Sequence, residues 1–214
     1  MQKIDQDKIV ILDFGSQYTQ LIARRIREIG VLSEIVSCEI APKELLNLNP
    51  KGIIFSGGPE SVNSKFKPKF NSKILEINQP ILGICYGMQL LAKQCKGKVD
   101  LSAKREFGHS ELVFNKNILF KGVTEKKKKI NVWMSHGDKV VRLPKQFKKI
   151  ASSTNSKIAA FASNDGQRFG VQFHPEVSHT NQGQKILSNF ALEICGCEKN
   201  WTSKNIIDDL VQSI

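Results

Sequence analysis

The sequence lacks any apolar run long enough to cross a membrane, and its first residues, Met1–Asp5, contain no apolar signal segment. A spanning helix needs roughly 18 or more consecutive apolar residues, and no run here approaches that length. We therefore expect a soluble, cytosolic protein without a membrane partner. With 214 residues, 40% of them hydrophobic, the chain has the size of one domain with a sizeable core.

The sequence also lacks the cysteine patterns of disulfide-rich proteins and zinc sites. Its five cysteines are an odd number and are scattered along the chain: Cys38, Cys85, Cys95, Cys195 and Cys197. The last two form C-x-C, which differs from the C-x-x-C spacing of zinc-binding motifs. We predict neither a disulfide framework nor a metal site.

A formal net charge of +12 would suit a nucleic-acid partner, but the patterns that such proteins use are missing. The excess is almost all lysine and lacks the aromatic interleaving of single-strand binders and the arginine clusters of groove readers. The one dense block, Lys126–Lys129, is expected in a solvated turn between strands. We predict no nucleic-acid partner and leave open a role for the lysines in attracting anionic nucleotides to a neighbouring domain.

Short apolar runs alternate with helix-like segments in the first hundred residues. Four runs are typical of buried parallel strands: 9–13, 32–37, 52–56 and 80–82. Four segments have helical patterns: 17–29, 42–48, 70–77 and 88–94. Short strands that should pair antiparallel follow: 110–114, 130–134, 150–153, 159–162 and 169–173. With a closing helix over 182–194, the alternation predicts an α/β fold, a three-layer open, mixed and mostly parallel sheet with helices on both faces.

The stretch Gly83–Gly87, Gly-Ile-Cys-Tyr-Gly, joins an apolar run to a helix-like run and predicts a nucleophile elbow. A strand that turns directly into a helix leaves the turn residue in a crowded backbone conformation, and glycines two positions away relieve the clash. Cys85 would then lie at a helix N-terminus, where partial positive charge favours a thiolate and N–H groups can stabilise an oxyanion. The alternative is an ordinary buried cysteine.

An alternating apolar strand downstream ends in His174-Pro175-Glu176. Pro175 fixes its own φ and biases His174 towards an extended conformation, so the Glu176 carboxylate can lie beside the imidazole. A nucleophile needs a base within hydrogen-bond reach and a third group that orients the base, and Cys85, His174 and Glu176 fit these roles. Alone, a histidine at a strand end is more often structural, so the prediction rests on both half-sites together.

The strand at 52–56 runs into Gly57-Gly58-Pro59, a turn whose backbone must approach something closely. Beside the Cys85 strand, such a loop can form an oxyanion hole with the N–H groups of Gly58 and Tyr86 as donors. The alternative is an ordinary glycine turn. Because this loop lacks the lysine and hydroxyl residue of a phosphate-binding loop, we predict no nucleotide site in this chain.

These motifs together resemble those of the class I, or triad, glutamine amidotransferases. The resemblance rests on Ser56–Pro59, Gly83–Gly87 and His174–Glu176. Within that family, three stretches resemble the glutaminase domains of GMP synthetases: Asp13–Tyr18, Gly57–Val62 and Trp133–Asp138. The resemblance runs from about residue 9 to the C-terminus and implies a flavodoxin-like fold.

The resemblance also implies roles for individual residues. Cys85 would attack the side-chain amide of glutamine, His174 would act as base and then as acid, and Glu176 would orient it. The implied glutamine pocket comprises Gly57, Tyr86, Gln89, Ser135, Gly137 and Asp138. Gln89 lies one helical turn beyond Cys85 and can face this pocket, or it can be a capping residue. Ser135–Asp138 can alternatively be a tight turn, and His136 has no assigned role.

Glutaminases of this family usually pass ammonia directly to a synthase domain. In GMP synthetases that domain binds ATP and Mg²⁺ and aminates XMP to GMP, so the resemblance implies an ATP-dependent synthetase partner, in the same polypeptide, and glutamine as the substrate. The chain itself would hold no cofactor. Residues 1–200 would form the amidotransferase domain, and 201–214 the start of a synthetase domain, unless the apolar tail helix packs onto its own domain.

Three other functions stay open at this point. The chain can be an amidotransferase that serves another synthase, a cysteine hydrolase of γ-glutamyl peptides on the same fold, or a regulatory domain with an inactive site. Glu60–Val62 and Trp133–Asp138 argue against the peptide hydrolase. The complete set of Cys85, His174 and Glu176 argues against an inactive site.

Overall fold

The computed structural model describes residues 6–123 and 128–201, with the backbone alone at 103 and 104. Nine strands are numbered in chain order: β1 (Lys8–Asp13), β2 (Leu32–Ser37), β3 (Gly52–Phe55), β4 (Ile81–Ile84), β5 (Lys98–Phe114), β6 (Lys129–Arg142), β7 (Phe147–Ser153), β8 (Ala160–Ser163) and β9 (Arg168–Val171). Four α-helices accompany them within these ranges: α1 (Thr19–Ile29), α2 (Pro42–Asn47), α3 (Tyr86–Gln94) and α4 (Gly183–Ser188).

The nine strands form one mixed sheet in the order β2-β1-β3-β4-β9-β8-β7-β5-β6. The pairings from β2 to β9 are parallel, and those from β9 to β6 are antiparallel. The predicted α/β architecture with an antiparallel extension is therefore confirmed. The strand that carries Cys85 at its end, β4, pairs directly with β9, after which His174 follows. This pairing brings the two half-sites to the same edge of the sheet.

Helices cover both faces of the parallel strands, as predicted. On β1, Ile9 and Ile11 belong to the core that includes the buried residues of α1 and α4. The intervening Val10 and Leu12 belong to the core that includes the buried residues of α2 and α3. Because β1 is buried on both sides, its sequence is apolar throughout and does not alternate.

The antiparallel strands are longer than predicted. β5 and β6 pair with each other over most of their lengths, whereas the sequence pattern predicted only 110–114 and 130–134. Every second residue of β6 from Ile130 to Val140 is buried, and His136 and Asp138 are among them. These buried polar residues interrupt the apolar alternation that predicts a strand. The alternative of a tight turn at Ser135–Asp138 is wrong, because the segment lies within β6.

Two predicted helices differ in type. The segment predicted over 70–77 is a short 3₁₀ helix at Ser72–Glu76, in which the Asn71 side chain accepts a hydrogen bond from the Lys73 N–H. The closing helix is α-helical over α4 and continues as a π-helix over Asn189–Ile194. The tail helix predicted over 203–214 and part of the lysine block lie outside the described residues. Within the described ranges, no helix combines the length and apolarity needed to cross a bilayer.

Candidate active site

Cys85 lies at the turn between β4 and α3 in a backbone conformation that few residues other than glycine adopt. Its φ is +52° and its ψ is −105°. A Cβ atom on Gly83 would lie 2.5 Å from the backbone of Gly87, and one on Gly87 would lie 2.3 Å from the carbonyl oxygen of Phe55. Both positions therefore require glycine, as the elbow predicts. The predicted elbow conformation is confirmed.

The Cys85 sulfur is held between the start of α3 and β6. The backbone N–H of Cys85 donates to Val171 O over 2.8 Å, which fixes the turn against β9. Its sulfur lies 3.5 Å from the carbonyl oxygen of Ser135 and 3.7 Å from Nε2 of Gln172. Tyr86 is the first residue of α3, so its N–H has no acceptor within the helix. The sulfur therefore lies next to the helix N-terminus, where backbone N–H groups have no acceptor within the helix.

His174 and Glu176 form a buried pair in the loop that follows β9. The Nδ1–H group of His174 donates to Oε1 of Glu176 over 2.7 Å. The loop backbone is fixed at the same place, since the His174 N–H donates to Trp133 O over 3.0 Å and Thr180 Oγ1 donates to His174 O over 2.6 Å. The imidazole thus has a fixed orientation, with Nε2 left for another partner.

The charges around His174 favour its protonated form. Burial lowers the pKa of the imidazole, but the negative charges of Glu176 and Cys85 and the hydrogen bond that the ring donates to Glu176 raise it, and the net pKa lies well above its ordinary value. Cys85 and His174 line the same pocket, and the sulfur is close enough to raise the pKa of the ring. The structure therefore joins the three predicted residues in the order cysteine, histidine, carboxylate.

A pocket of about 590 Å³ opens over Cys85. Of the residues predicted for the site, eight line it: Gly58, Cys85, Tyr86, Gln89, Ser135, Gly137, Asp138 and His174. Glu176 lies behind His174 and does not line the pocket. Gly57 does not line it either, and it packs against the imidazole instead, since a Cβ atom there would lie 3.2 Å from Cε1 of His174.

Gly58 places a second backbone segment against Tyr86, the residue that follows Cys85. A Cβ atom on Gly58 would lie 2.7 Å from the carbonyl oxygen of Phe14 and 3.3 Å from Cγ of Tyr86. The loop can therefore pass this close to Phe14 and Tyr86 only with glycine at this position. Gly58 and Tyr86 line the pocket together with Cys85, and their role as oxyanion-hole donors stays a prediction.

The amide of Gln89 crosses from α3 to β6. Its Nε2 donates to Asp138 O over 2.8 Å and to Oε1 of Gln172 over 3.2 Å. The alternative that Gln89 is a capping residue does not hold, because its side chain bonds to other elements. Across the pocket, the Asp138 carboxylate accepts a hydrogen bond from Ser61 Oγ. These bonds tie the elbow helix to β6 at the wall of the pocket.

A second buried histidine–carboxylate pair lies below this wall. Nε2 of His136 is 3.2 Å from Oε2 of Glu106, and Nδ1 of His136 is 2.9 Å from Asp138 O. Glu106 also accepts hydrogen bonds from Ser110 Oγ over 2.7 Å and Ser156 Oγ over 3.2 Å. Burial raises the pKa of Glu106, but the hydrogen bonds and the charge of His136 outweigh it, and the net pKa lies below its ordinary value.

Sequence reasoning missed several residues of the site. Glu106 and Gln172 had no predicted role, and His136 was left without one. A signal was available for Gln172, which is the only polar residue of Phe169–Phe173. It lies two positions before His174, and in an extended chain such residues lie on the same side. The pocket also has lining residues that were not predicted as site residues: Gly15, Ser16, Gln17, Tyr18, Pro59, Glu60, Ser61, Leu101, Arg105, Phe107 and His136.

The described part of the chain contains no group of three or more His, Cys, Asp or Glu side chains that could hold a metal ion. The expectation that this chain holds no cofactor stays a prediction. A thiol and an imidazole paired with a carboxylate lie at one pocket, and acyl transfer uses side chains of these types.

Comparison with known proteins agrees with this chemistry. Residues 10–194 match the family described as Glutamine amidotransferase class-I. The chain is 49% identical to two proteins named GMP synthase (glutamine-hydrolyzing). One is from Photobacterium profundum, in an alignment of 217 residues, and the other is from Coxiella burnetii, in an alignment of 220 residues. These matches cover 99% and 100% of this chain but 41% and 42% of the two relatives, so the chain spans about two fifths of their length.

Two solved structures share the fold. A protein described as a subunit of GMP synthase from Thermoplasma acidophilum has a TM-score of 0.80 and 32% identity, over 89% of this chain and 94% of its own. A glutamine amidotransferase from Thermotoga maritima has a TM-score of 0.66 and 19% identity, over 97% of this chain and 95% of its own. The second, at this identity, supports the fold alone.

Proposed function

Because this chain belongs to the class I glutamine amidotransferase family, we propose that it hydrolyses glutamine to glutamate and ammonia. The observation that carries the proposal is the hydrogen-bonded pair of His174 and Glu176 beside Cys85 at a pocket of about 590 Å³. We further propose that the ammonia serves a GMP synthase, since relatives of that name match nearly the whole chain at 49% identity.

In the first half of the reaction, the Cys85 sulfur attacks the side-chain amide carbon of glutamine. The carbonyl oxygen becomes an oxyanion, which accepts hydrogen bonds from the N–H groups of Gly58 and Tyr86. The carbon–nitrogen bond then breaks, and His174 transfers a proton to the leaving nitrogen, so that ammonia departs. The product on the enzyme is a γ-glutamyl thioester of Cys85.

In the second half, water attacks the thioester carbon while His174 accepts a proton from it. The same N–H groups stabilise the second oxyanion, and the carbon–sulfur bond breaks to release glutamate and regenerate Cys85. Glu176 keeps the imidazole in one orientation through both halves and stays ionised.

The pocket has charged groups of both signs for the two charges on the backbone end of glutamine. The carboxylates of Glu60 and Asp138 suit the α-ammonium group, and the guanidinium of Arg105 suits the α-carboxylate. We propose that these side chains, with Gln89, Ser135 and Gly137 at the wall, hold the substrate so that its amide carbon faces Cys85.

We propose that the partner is an ATP-dependent synthetase domain in the same polypeptide, which binds ATP and Mg²⁺ and aminates XMP. The support is that the relatives are more than twice as long as this chain. The division into an amidotransferase domain over 1–200 and the start of a synthetase domain at 201–214 stays a prediction, since 202–214 lie outside the described residues. The cytosolic location also stays a prediction.

The test compares two nitrogen sources in the full-length protein. GMP formation from ATP and XMP is measured with glutamine and with ammonium, in the parent and in Cys85→Ala. We expect Cys85→Ala to lose only the glutamine-dependent reaction. Retention of that reaction by the variant would contradict the role of Cys85. Glutamine hydrolysis without GMP from either source would instead indicate an amidotransferase for a different acceptor.

A further inference from the structure

Gln172 is a buried amide in direct contact with the nucleophile. Its Nε2 lies 3.7 Å from the Cys85 sulfur, within hydrogen-bond reach of a sulfur acceptor, and its side chain is wholly buried. Its Oε1 lies 3.2 Å from Nε2 of Gln89. A buried amide at such a position needs partners for both ends, and here one of the partners is the reacting atom.

The hydrogen-bond partners determine which end of the amide faces the sulfur. The Asp138 carbonyl oxygen can only accept, so the end of Gln89 that lies 2.8 Å from it must be the NH₂ group. The second hydrogen of that NH₂ group points to Gln172, whose oxygen must therefore face Gln89. The NH₂ group of Gln172 is consequently left to donate to the Cys85 sulfur.

The far end of this chain of hydrogen bonds is also fixed. Asp138 O accepts a second bond, over 2.9 Å, from Nδ1 of His136, and Nε2 of His136 contacts the Glu106 carboxylate. Hydroxyl groups from Ser110, Ser153 and Ser156 also donate to that carboxylate. Because the Asp138 carbonyl accepts from both Gln89 and His136, it cannot turn away, and neither amide can flip, without losing a bond.

A thiolate at Cys85 needs such a donor. The Ser135 carbonyl oxygen lies 3.5 Å from the sulfur, where it can accept from a thiol but repels a thiolate. Donors on the opposite side are required to offset that repulsion. His174 is one of them, and Gln172 is a second that is independent of the imidazole.

We propose that Gln172 is a further catalytic residue, whose Nε2–H group donates to the Cys85 sulfur and stabilises the thiolate, while Gln89, Asp138, His136 and Glu106 hold that donor in place. The inference deepens the proposed function, because the stabilised thiolate is the nucleophile of glutamine hydrolysis. Loss of one hydrogen bond to a charged group should make the thiolate about tenfold less populated at neutral pH.

The experiment follows the alkylation of Cys85 by iodoacetamide in the full-length protein. Rates are measured across pH, and the peptide that contains Cys85 is quantified by mass spectrometry, so that the other four cysteines do not interfere. The other titratable side chains of the pocket are left unchanged in every variant: Tyr18, Glu60, Tyr86, Arg105, His136, Asp138 and His174.

Gln172→Met removes the donor at nearly constant volume. We expect its alkylation to be about tenfold slower at neutral pH, with a midpoint about one pH unit higher than in the parent. The matched control is Asn189→Leu, which removes another buried amide, one that bonds to Leu119 O and Lys121 O. Asn189→Leu should leave the pH profile of Cys85 alkylation unchanged even if it lowers the melting temperature.

An unchanged profile in a folded Gln172→Met protein would overturn the proposal. If that variant does not fold, Gln172→Glu is used, which places a carboxylate against the sulfur and should slow alkylation further, and parental rates there would also overturn it. In the parent itself, the NMR signal of the Gln172 NH₂ group should shift with the midpoint of Cys85 alkylation, and a signal that stays constant would contradict the contact. Because alkylation needs no glutamine, these outcomes are independent of whether glutamine is hydrolysed.

Discussion

Two buried histidine–carboxylate pairs lie within this one site, and they differ in what the second ring nitrogen meets. His174 and His136 are each 4% exposed, and their carboxylates, Glu176 and Glu106, are 0% and 6% exposed. The distance from the ring nitrogen to the carboxylate oxygen is 2.7 Å in the first pair and 3.2 Å in the second. The free side of His174 faces the Cys85 sulfur, which can exchange a proton, whereas that of His136 faces the Asp138 carbonyl, which cannot.

Burial and a carboxylate partner are thus common to both pairs, and they do not distinguish the histidine that we propose to be catalytic. Both pairs hold an imidazole in one orientation. In the first pair, under the proposed mechanism, the orientation serves proton transfer. In the second it fixes a backbone carbonyl and, through it, the amides of Gln89 and Gln172.

Replacing each of the two histidines should give the largest difference in activity between the pairs. We expect His174→Gln to lower kcat for glutamine hydrolysis by about 10⁴-fold, because the base and acid of both half-reactions is lost. His136→Gln should lower it by about tenfold or less, because only the support of the pocket wall is weakened. Steady-state glutamate release from the full-length variants measures both. Comparable losses of kcat in the two variants would contradict the different roles of the two histidines.

Replacing the carboxylates should give smaller effects in the same order. Glu176→Gln should lower kcat by about 10²-fold, less than His174→Gln, because an orienting group improves the base without accepting the proton itself. Glu106→Gln should change kcat by less than about tenfold. The same assay, run in parallel on both variants, decides the order. A larger loss in Glu106→Gln than in Glu176→Gln would reverse the assignment of the pairs.

Glu106 should matter more for stability than for chemistry. Glu106→Gln removes a buried charge that accepts bonds from His136 and three serine hydroxyls, and we expect the free energy of unfolding to fall by about 2 kcal/mol. Denaturant titration at neutral pH measures the change. The surface variant Lys121→Gln, which removes an exposed ion pair with Glu193, is the control and should leave the free energy of unfolding nearly unchanged.

The two pairs should also respond to pH in opposite directions. The pKa of Glu106 is lowered by folding, so its stabilisation is present above its unfolded value of about 4.3 and is lost as the pH falls through the folded value. The pKa of His174 is raised, so its stabilisation is complete below about pH 6.5 and is lost as the pH rises through the folded value.

Unfolding free energies across pH test this expectation. The stability difference between the parent and Glu106→Gln should shrink on acidification, and that between the parent and His174→Gln should shrink in alkali. Differences that are constant with pH, or that change in the same direction for both variants, would show that the charges do not account for the two contributions.

The parallel half of the sheet and the elbow were predictable from the sequence for local reasons. Strands buried on both sides are apolar throughout, and Gly83 and Gly87 are required by contacts between neighbours in the chain or in the adjacent strand. The pairing of β4 with β9 then places His174 near Cys85.

The supporting network was not predictable in the same way. His136, Asp138 and Glu106 are polar residues at buried positions, so they weaken the pattern that identifies β5 and β6. Their burial is stable only because β5, β6 and β7 bring serine hydroxyls and a backbone carbonyl to them. These partners are set by the tertiary pairing of strands that are far apart in the sequence.

The central claim is that Cys85 carries the γ-glutamyl group during glutamine hydrolysis. The most direct measurement mixes the full-length protein with glutamine, quenches the reaction in acid within milliseconds to seconds, and analyses the peptides by mass spectrometry. We predict a γ-glutamyl adduct on the Cys85 peptide that forms before glutamate accumulates and is absent in Cys85→Ala. A γ-glutamyl group on any other residue, or glutamate release at the parental rate by Cys85→Ala, would contradict the claim.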